Sequence, residues 1–136
     1  MGISATFRRE IGVLPEVFDF VGRFFDVDHV DPQFRFTTDF VLEELFTNFV
    51  KYNPDGKSDI EIRLATEGDH LTIALTDFDS APFDIHRKAP DVDITKPIEE
   101  RIPGGLGVHL VKKMVDRVEY AHENGVTTIT LYKNLR

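Results

Sequence analysis

Gly104, Gly105, Leu106 and Gly107 stand directly before a stretch with strong helical periodicity. Unpaired backbone N–H groups and the positive end of a helix dipole meet at such an entry, and glycines let a phosphate approach the backbone without a side chain intervening. An ordinary tight turn would use the same residues. Asp77 closes an alternating Leu71, Ile73, Leu75 pattern and is followed by Asp79, Ser80, Ala81, Pro82, Phe83 and Asp84. A carboxylate at a strand end can accept hydrogen bonds from an exocyclic amine such as that of adenine, although Asp is also a common turn residue. Glu44, Asn48 and Lys51 fall at i, i+4 and i+7, one polar line along an otherwise apolar segment. Such a line needs a partner, unless it is a solvated stripe or a local ion pair.

The elements that would position these groups can be read from hydrophobic periodicity. Ile3, Ala5 and Phe7 alternate as in a half-buried strand, and Pro15 sits where a first helical turn tolerates it. Leu14, Val17, Phe18, Val21, Phe24 and Phe25 then mark one face of a helix. After a linker at Asp31 and Pro32, Thr37 or Thr38 is expected to cap a second helix buried through Val41, Leu42, Leu45, Phe46 and Phe49 and ended by Asn53 to Gly56. Ile60, Ile62, Leu64 and Leu71, Ile73, Leu75 flank Glu67, Gly68 and Asp69 as two strands of a hairpin. Residues from about 80 to 103 carry prolines and charges without a period and read as a long loop. Gly107, Leu110, Val111, Met114, Val115 and Val118 give a third helical stripe, and Thr127 to Tyr132 a closing strand.

Composition narrows the classes. The 136 residues suit a single domain, and 12 Phe with no Trp and no Cys describe a core built without disulfides or thiolate metal ligands. A formal charge of −8 argues against a general nucleic-acid binder. None of the five histidines forms a zinc-ligand pair at the usual spacing. No apolar run reaches membrane-spanning length, and no apolar signal core follows a basic start. The expectation is a soluble, cytoplasmic, unprocessed protein.

Taken in order, an acid and an amide on a helix, an acid after a strand, a long loop and glycines opening a helix resemble the N, G1 and G2 boxes of the GHKL ATPase superfamily. Within it the chain is most similar to the anti-sigma-factor serine/threonine kinases. Glu44, Leu45, Phe46, Thr47 and Asn48 match the N box, Asp77 to Asp84 the G1 segment, and Lys96 to Arg101 with Gly104 to Gly107 the approach to G2. The likeness continues through Val115 to Tyr120 and spans nearly the whole chain. In one place the pattern departs: the family has Asp-x-Gly where this chain reads Asp77, Phe78, Asp79, and Phe83 falls one residue late. If the register slides, Ala81 takes the small-residue role and Asp79 faces the adenine; strand phase favours Asp77.

The resemblance implies a Bergerat ATP-binding fold: an α/β (α+β) two-layer sandwich with a mixed, mainly antiparallel sheet and helices packed on one face. It implies one domain over residues 1–136, with an ATP lid at about 84–103. Asn48 would coordinate Mg2+ and Glu44 would act as general base toward a Ser or Thr hydroxyl. Gly104, Gly105, Leu106 and Gly107 would hold the ATP phosphates, with Lys51 and Arg101 as nearby cations and Thr130 on the terminal strand completing the site together with Phe83. His86, Arg87 and Lys88 would be the other lid cations. The implied activity is phosphorylation of a STAS-domain anti-sigma antagonist in a partner-switching module. A bound sigma factor and a homodimer are implied companions. The alternative is a regulatory binding protein that uses ATP only as a conformational ligand or has lost catalysis. The ATPase domain of a sensor histidine kinase is disfavoured, because no dimerisation helix with a phosphoacceptor His precedes residues 1 to 30.

Overall fold

The protein's structure, a computed structural model, describes residues 2–52, 56–79 and 105–135. The chain begins with strand β1 (Gly2–Phe7), passes a 3-10 turn at Ile11–Val13, and enters helix α1 (Leu14–Val27) with Pro15 in its first turn. A second 3-10 turn, Pro32–Phe34, leads into the 18-residue helix α2 (Arg35–Tyr52). Strands β2 (Ile60–Glu67) and β3 (His70–Asp77) follow as a tight hairpin whose Gly68 takes φ 58°, a conformation glycine adopts without a Cβ clash. Helix α3 (Gly105–Met114), β4 (Arg117–Glu123) and β5 (Val126–Asn134) complete the described chain.

The five strands form one sheet in the order β1-β2-β3-β5-β4, and every neighbouring pair is antiparallel. Strand alternation divides the sheet into two faces. Ile60, Ile62 and Leu64 of β2, Leu71, Ile73 and Leu75 of β3, and Ile129 and Leu131 of β5 are buried in one continuous core with the helices. The helices contribute Val17, Phe20, Val21, Phe24 and Phe25 from α1, Val41, Leu42, Leu45 and Phe46 from α2, and Val111 from α3. Each such side chain contributes about 1.5–3 kcal/mol by leaving water. The result is the two-layer α+β arrangement, with the expected mixed sheet found to be antiparallel throughout the described residues.

Three local expectations are revised. Helix α2 does not start at a threonine cap: the Asp31 carboxylate accepts from the Gln33 backbone N–H at the preceding 3-10 turn, and Thr38, inside the helix, donates to the Phe34 carbonyl at 2.8 Å. On α1 the buried aromatic between Val17 and Val21 is Phe20, set edge-on to Phe7 at 5.6 Å, while Phe18 is only half-buried. The third helix stops at Met114, and Val118, read as the end of its stripe, lies instead in β4. Val118, Tyr120 and His122 are the half-buried positions of that strand, and the turn to β5 is Asn124-Gly125, both with positive φ.

Candidate functional site

Glu44, Asn48 and Lys51 lie on the C-terminal half of α2 as one line, with exposure changing along it. Glu44 is half-buried, Asn48 is 8% exposed and Lys51 is exposed. Glu44 and Asn48, one turn apart, have Cβ atoms roughly 5–6 Å from each other. Asn48 is buried, and its Nδ2 has no hydrogen-bond partner among the described residues. Such an orphan donor costs about 1–3 kcal/mol in the free protein, so its position calls for a ligand rather than for packing.

Helix α3 packs against α2 and begins at Gly105, so Gly105, Leu106 and Gly107 form its first turn. Their backbone N–H groups are those a helix leaves without intrahelical partners. Lys112 and Lys113 occupy the last turn, where positive charge complements the helix dipole. Gly104 lies outside the described residues, as do Ala81, Phe83, His86, Arg87, Lys88, Arg101 and the whole proposed lid.

Asp77 is the last residue of β3, on the helix-facing side, paired in register with Ile60 and Thr127. It is 1% exposed, and its carboxylate is held by Arg9 from beyond the end of β1. Arg9 Nη1 donates to Asp77 Oδ2 at 3.0 Å and Nη2 donates to Oδ1. The same two nitrogens also donate to the Phe49 carbonyl at 3.4 Å and the Ser58 carbonyl at 3.2 Å. Arg9 thereby joins the end of β1, the last turns of α2, the segment before β2 and the end of β3. The Asp79 backbone N–H donates to Asp77 Oδ1 at 3.0 Å, and the Asp79 carboxylate accepts from the Lys57 backbone N–H at 2.6 Å. Asp79, in the place of the family's glycine, straps β3 to the segment before β2.

Thr130 is not brought to this cluster. It pairs with Ala74 and Glu119, on the sheet face opposite to Asp77, Leu75 and Ile129. That outer face carries Glu119, whose carboxylate is held below its usual range by the Tyr132 hydroxyl and by Arg117, while the Tyr132 hydroxyl is pushed up in turn. The β5 residue on the inner face beside Asp77 is Thr127, 2% exposed, with its Oγ1 2.7 Å from His122 Nδ1. Its signal was its phase, in step with Ile129 and Leu131. Arg9 had no such signal: Arg8, beside it in the chain, is exposed and pairs only with Glu10 at 3.4 Å.

The donor set can be tested against magnesium and ATP. Among the described residues no group of three or more His, Cys, Asp or Glu could hold a metal ion. A site with Asn48 as its protein ligand suits magnesium, which keeps waters and takes phosphate oxygens as its other ligands. Asn48 and the first-turn N–H groups of α3 suit the phosphate and metal half of the group. The base half fits poorly, because the Asp77 carboxylate is buried and both of its oxygens already accept from inside the protein.

Residues 7–133 match the family model described as the histidine kinase-like ATPase domain. The chain is similar to the serine-protein kinase RsbW of Bacillus velezensis and to that of Bacillus subtilis strain 168, 29% identical over 99 residues in each case. Each match covers 68% of this chain and 61% of the relative, so the chain spans about three fifths of the relatives' length. Among solved structures it is similar in fold to a chain of the SiaB-SiaC complex from Pseudomonas aeruginosa, with a TM-score of 0.63 and 11% identity over 96% of this chain and 88% of that one. No helix among the described residues is long and apolar enough to cross a membrane. The match over residues 7–133, nearly the whole length, shows that the chain belongs to the histidine kinase-like ATPase domain family.

Proposed function

We propose that this protein binds magnesium ATP between α2 and the start of α3 and acts as a serine/threonine kinase on a partner protein in the cytoplasm. The observation that carries this reading is Asn48: buried, with its amide nitrogen unpartnered, one turn after the half-buried Glu44. Asn48 Oδ1 would hold magnesium while its Nδ2 donates to a phosphate oxygen, and the first-turn N–H groups of Gly105, Leu106 and Gly107 would hold the remaining phosphate charge. Bound ATP supplies the transferable phosphoryl group. Glu44 would accept the proton of the attacking Ser or Thr hydroxyl, and Lys51 would add a point charge beyond Asn48.

The similarity to the RsbW serine-protein kinases supports a serine/threonine kinase; its proposed substrate is a STAS-type anti-sigma antagonist, with a sigma factor as second partner and a homodimer as the working assembly. The SiaB-SiaC neighbour adds a complex between two proteins as a parallel at the level of fold. A second reading, a regulatory binding protein without catalysis, is favoured by the engagement of Asp77 with Arg9.

Thermal unfolding with and without excess magnesium ATP tests the site. At about a hundred times its dissociation constant a ligand adds roughly 2.7 kcal/mol to stability. The midpoint should rise in the wild type, the rise should require magnesium, and Asn48→Ala should remove it. A rise of equal size in Asn48→Ala, or one indifferent to chelation of the metal, would remove Asn48 from the site. No rise at all in the wild type would leave the binding-protein reading.

A further inference from the structure

The group that would recognise a nucleotide's base is closed from inside the protein. A carboxylate reads an exocyclic amine by offering an open lone pair; Oδ1 of Asp77 already accepts from Arg9 and from the Asp79 N–H, and Oδ2 accepts from Arg9, so only one further acceptor position on Oδ2 is left. The two side chains are 4% and 2% exposed, so no open flank of the carboxylate faces solvent. Arg9 is also anchored by the Phe49 and Ser58 carbonyls, so Asp77 is not the only group holding the guanidinium. Arg9 Nε, buried and without a partner among the described residues, is a donor, whereas an adenine amine needs an acceptor.

We infer that Arg9 is a specificity-determining residue of the nucleotide site: it occupies the carboxylate of Asp77, so that the chain binds a magnesium triphosphate through its phosphates without selecting adenine. The inference rests on the proposed nucleotide site at α2 and α3 and concerns only its base end. A pocket built to hydrogen-bond a ligand amine rejects an analogue lacking it strongly, because a buried acceptor is left unpaired. With that acceptor satisfied internally, the penalty disappears. Inosine triphosphate, which has a carbonyl oxygen where ATP has its amine, should therefore bind nearly as well as ATP.

Calorimetric titration of the wild type and of Arg9→Gln with magnesium ATP and magnesium inosine triphosphate decides the matter, with circular dichroism reporting that the variant is folded. The wild-type dissociation constants should agree within about threefold, and Arg9→Gln, which frees one side of Asp77, should shift the ratio toward ATP by about tenfold or more. A wild-type preference for ATP above threefold overturns the inference while leaving the nucleotide site standing, and a folded Arg9→Gln with the wild-type ratio overturns it too. If Arg9→Gln does not fold, the wild-type ratio alone decides. If the wild type binds neither nucleotide, adenine-selective binding gained by Arg9→Gln supports the closure, and a variant equally blank overturns it together with the nucleotide reading.

Discussion

Glu44→Ala is expected to lower phosphoryl transfer to the partner protein by about 10²–10⁴-fold, the usual worth of a positioned general base, while leaving magnesium ATP affinity close to that of the wild type. The separation follows from the geometry of α2. Asn48 is the buried member of the line, and its amide would meet metal and phosphate; Glu44, one turn earlier and half-buried, would stand at the edge of the same site. Among the described residues no hydrogen bond or ion pair fixes the Glu44 carboxylate, so it is available to take a proton. Its removal should also leave stability within about 0.5 kcal/mol, as for a partly exposed side chain that fills no cavity. Transfer of labelled phosphate to the antagonist, measured beside nucleotide titration and urea unfolding, checks all three. Undiminished transfer in Glu44→Ala would remove it from the chemistry, and a loss of nucleotide affinity equal to the loss of transfer would recast it as a binding group.

The parts of the fold that were legible before the structure are those with an uninterrupted period. The alternation of Ile60, Ile62, Leu64 and Leu71, Ile73, Leu75 placed the central hairpin and its turn, and the spacing on α2 put Glu44 and Asn48 on one face. What escaped has identifiable causes. Val118 continues the stripe of α3 by spacing alone, but Asn124-Gly125 demands a hairpin turn, and the residues before it must then be a strand. Thr130, implied by the resemblance, lies on the outer face, because phase along the strand determines the face; Thr127, in step with Ile129 and Leu131, is the residue beside Asp77. Asp79 could be seen to replace a glycine, but its hydrogen bond to the Lys57 N–H joins residues 22 apart and leaves no local trace. The same holds for Arg9 and Asp77, 68 residues apart, where a long-range ion pair changes what the acid can do.

That pair should also be the most sensitive point of the described fold. Arg9→Met is expected to destabilise the protein by about 3–5 kcal/mol, the cost of leaving one member of a buried ion pair without its partner. The part-buried carbonyls of Phe49 and Ser58 lose the Arg9 donor in the same change, which adds to the penalty. The double variant Arg9→Met, Asp77→Leu should recover most of the loss, because an apolar pair of similar volume avoids the desolvation of both charges. Recovery on removing a second residue is strong non-additivity, expected only for groups in direct contact. Arg8→Met supplies the internal comparison: its partner Glu10 is exposed, and an exposed pair contributes about 0–1 kcal/mol. Urea unfolding of the four proteins measures the set. If Arg9→Met cost no more than Arg8→Met, Arg9 would not be the buried tie between β1, α2 and β3. If the double variant were no more stable than Arg9→Met, the loss would belong to the two carbonyls rather than to the unpaired charge of Asp77.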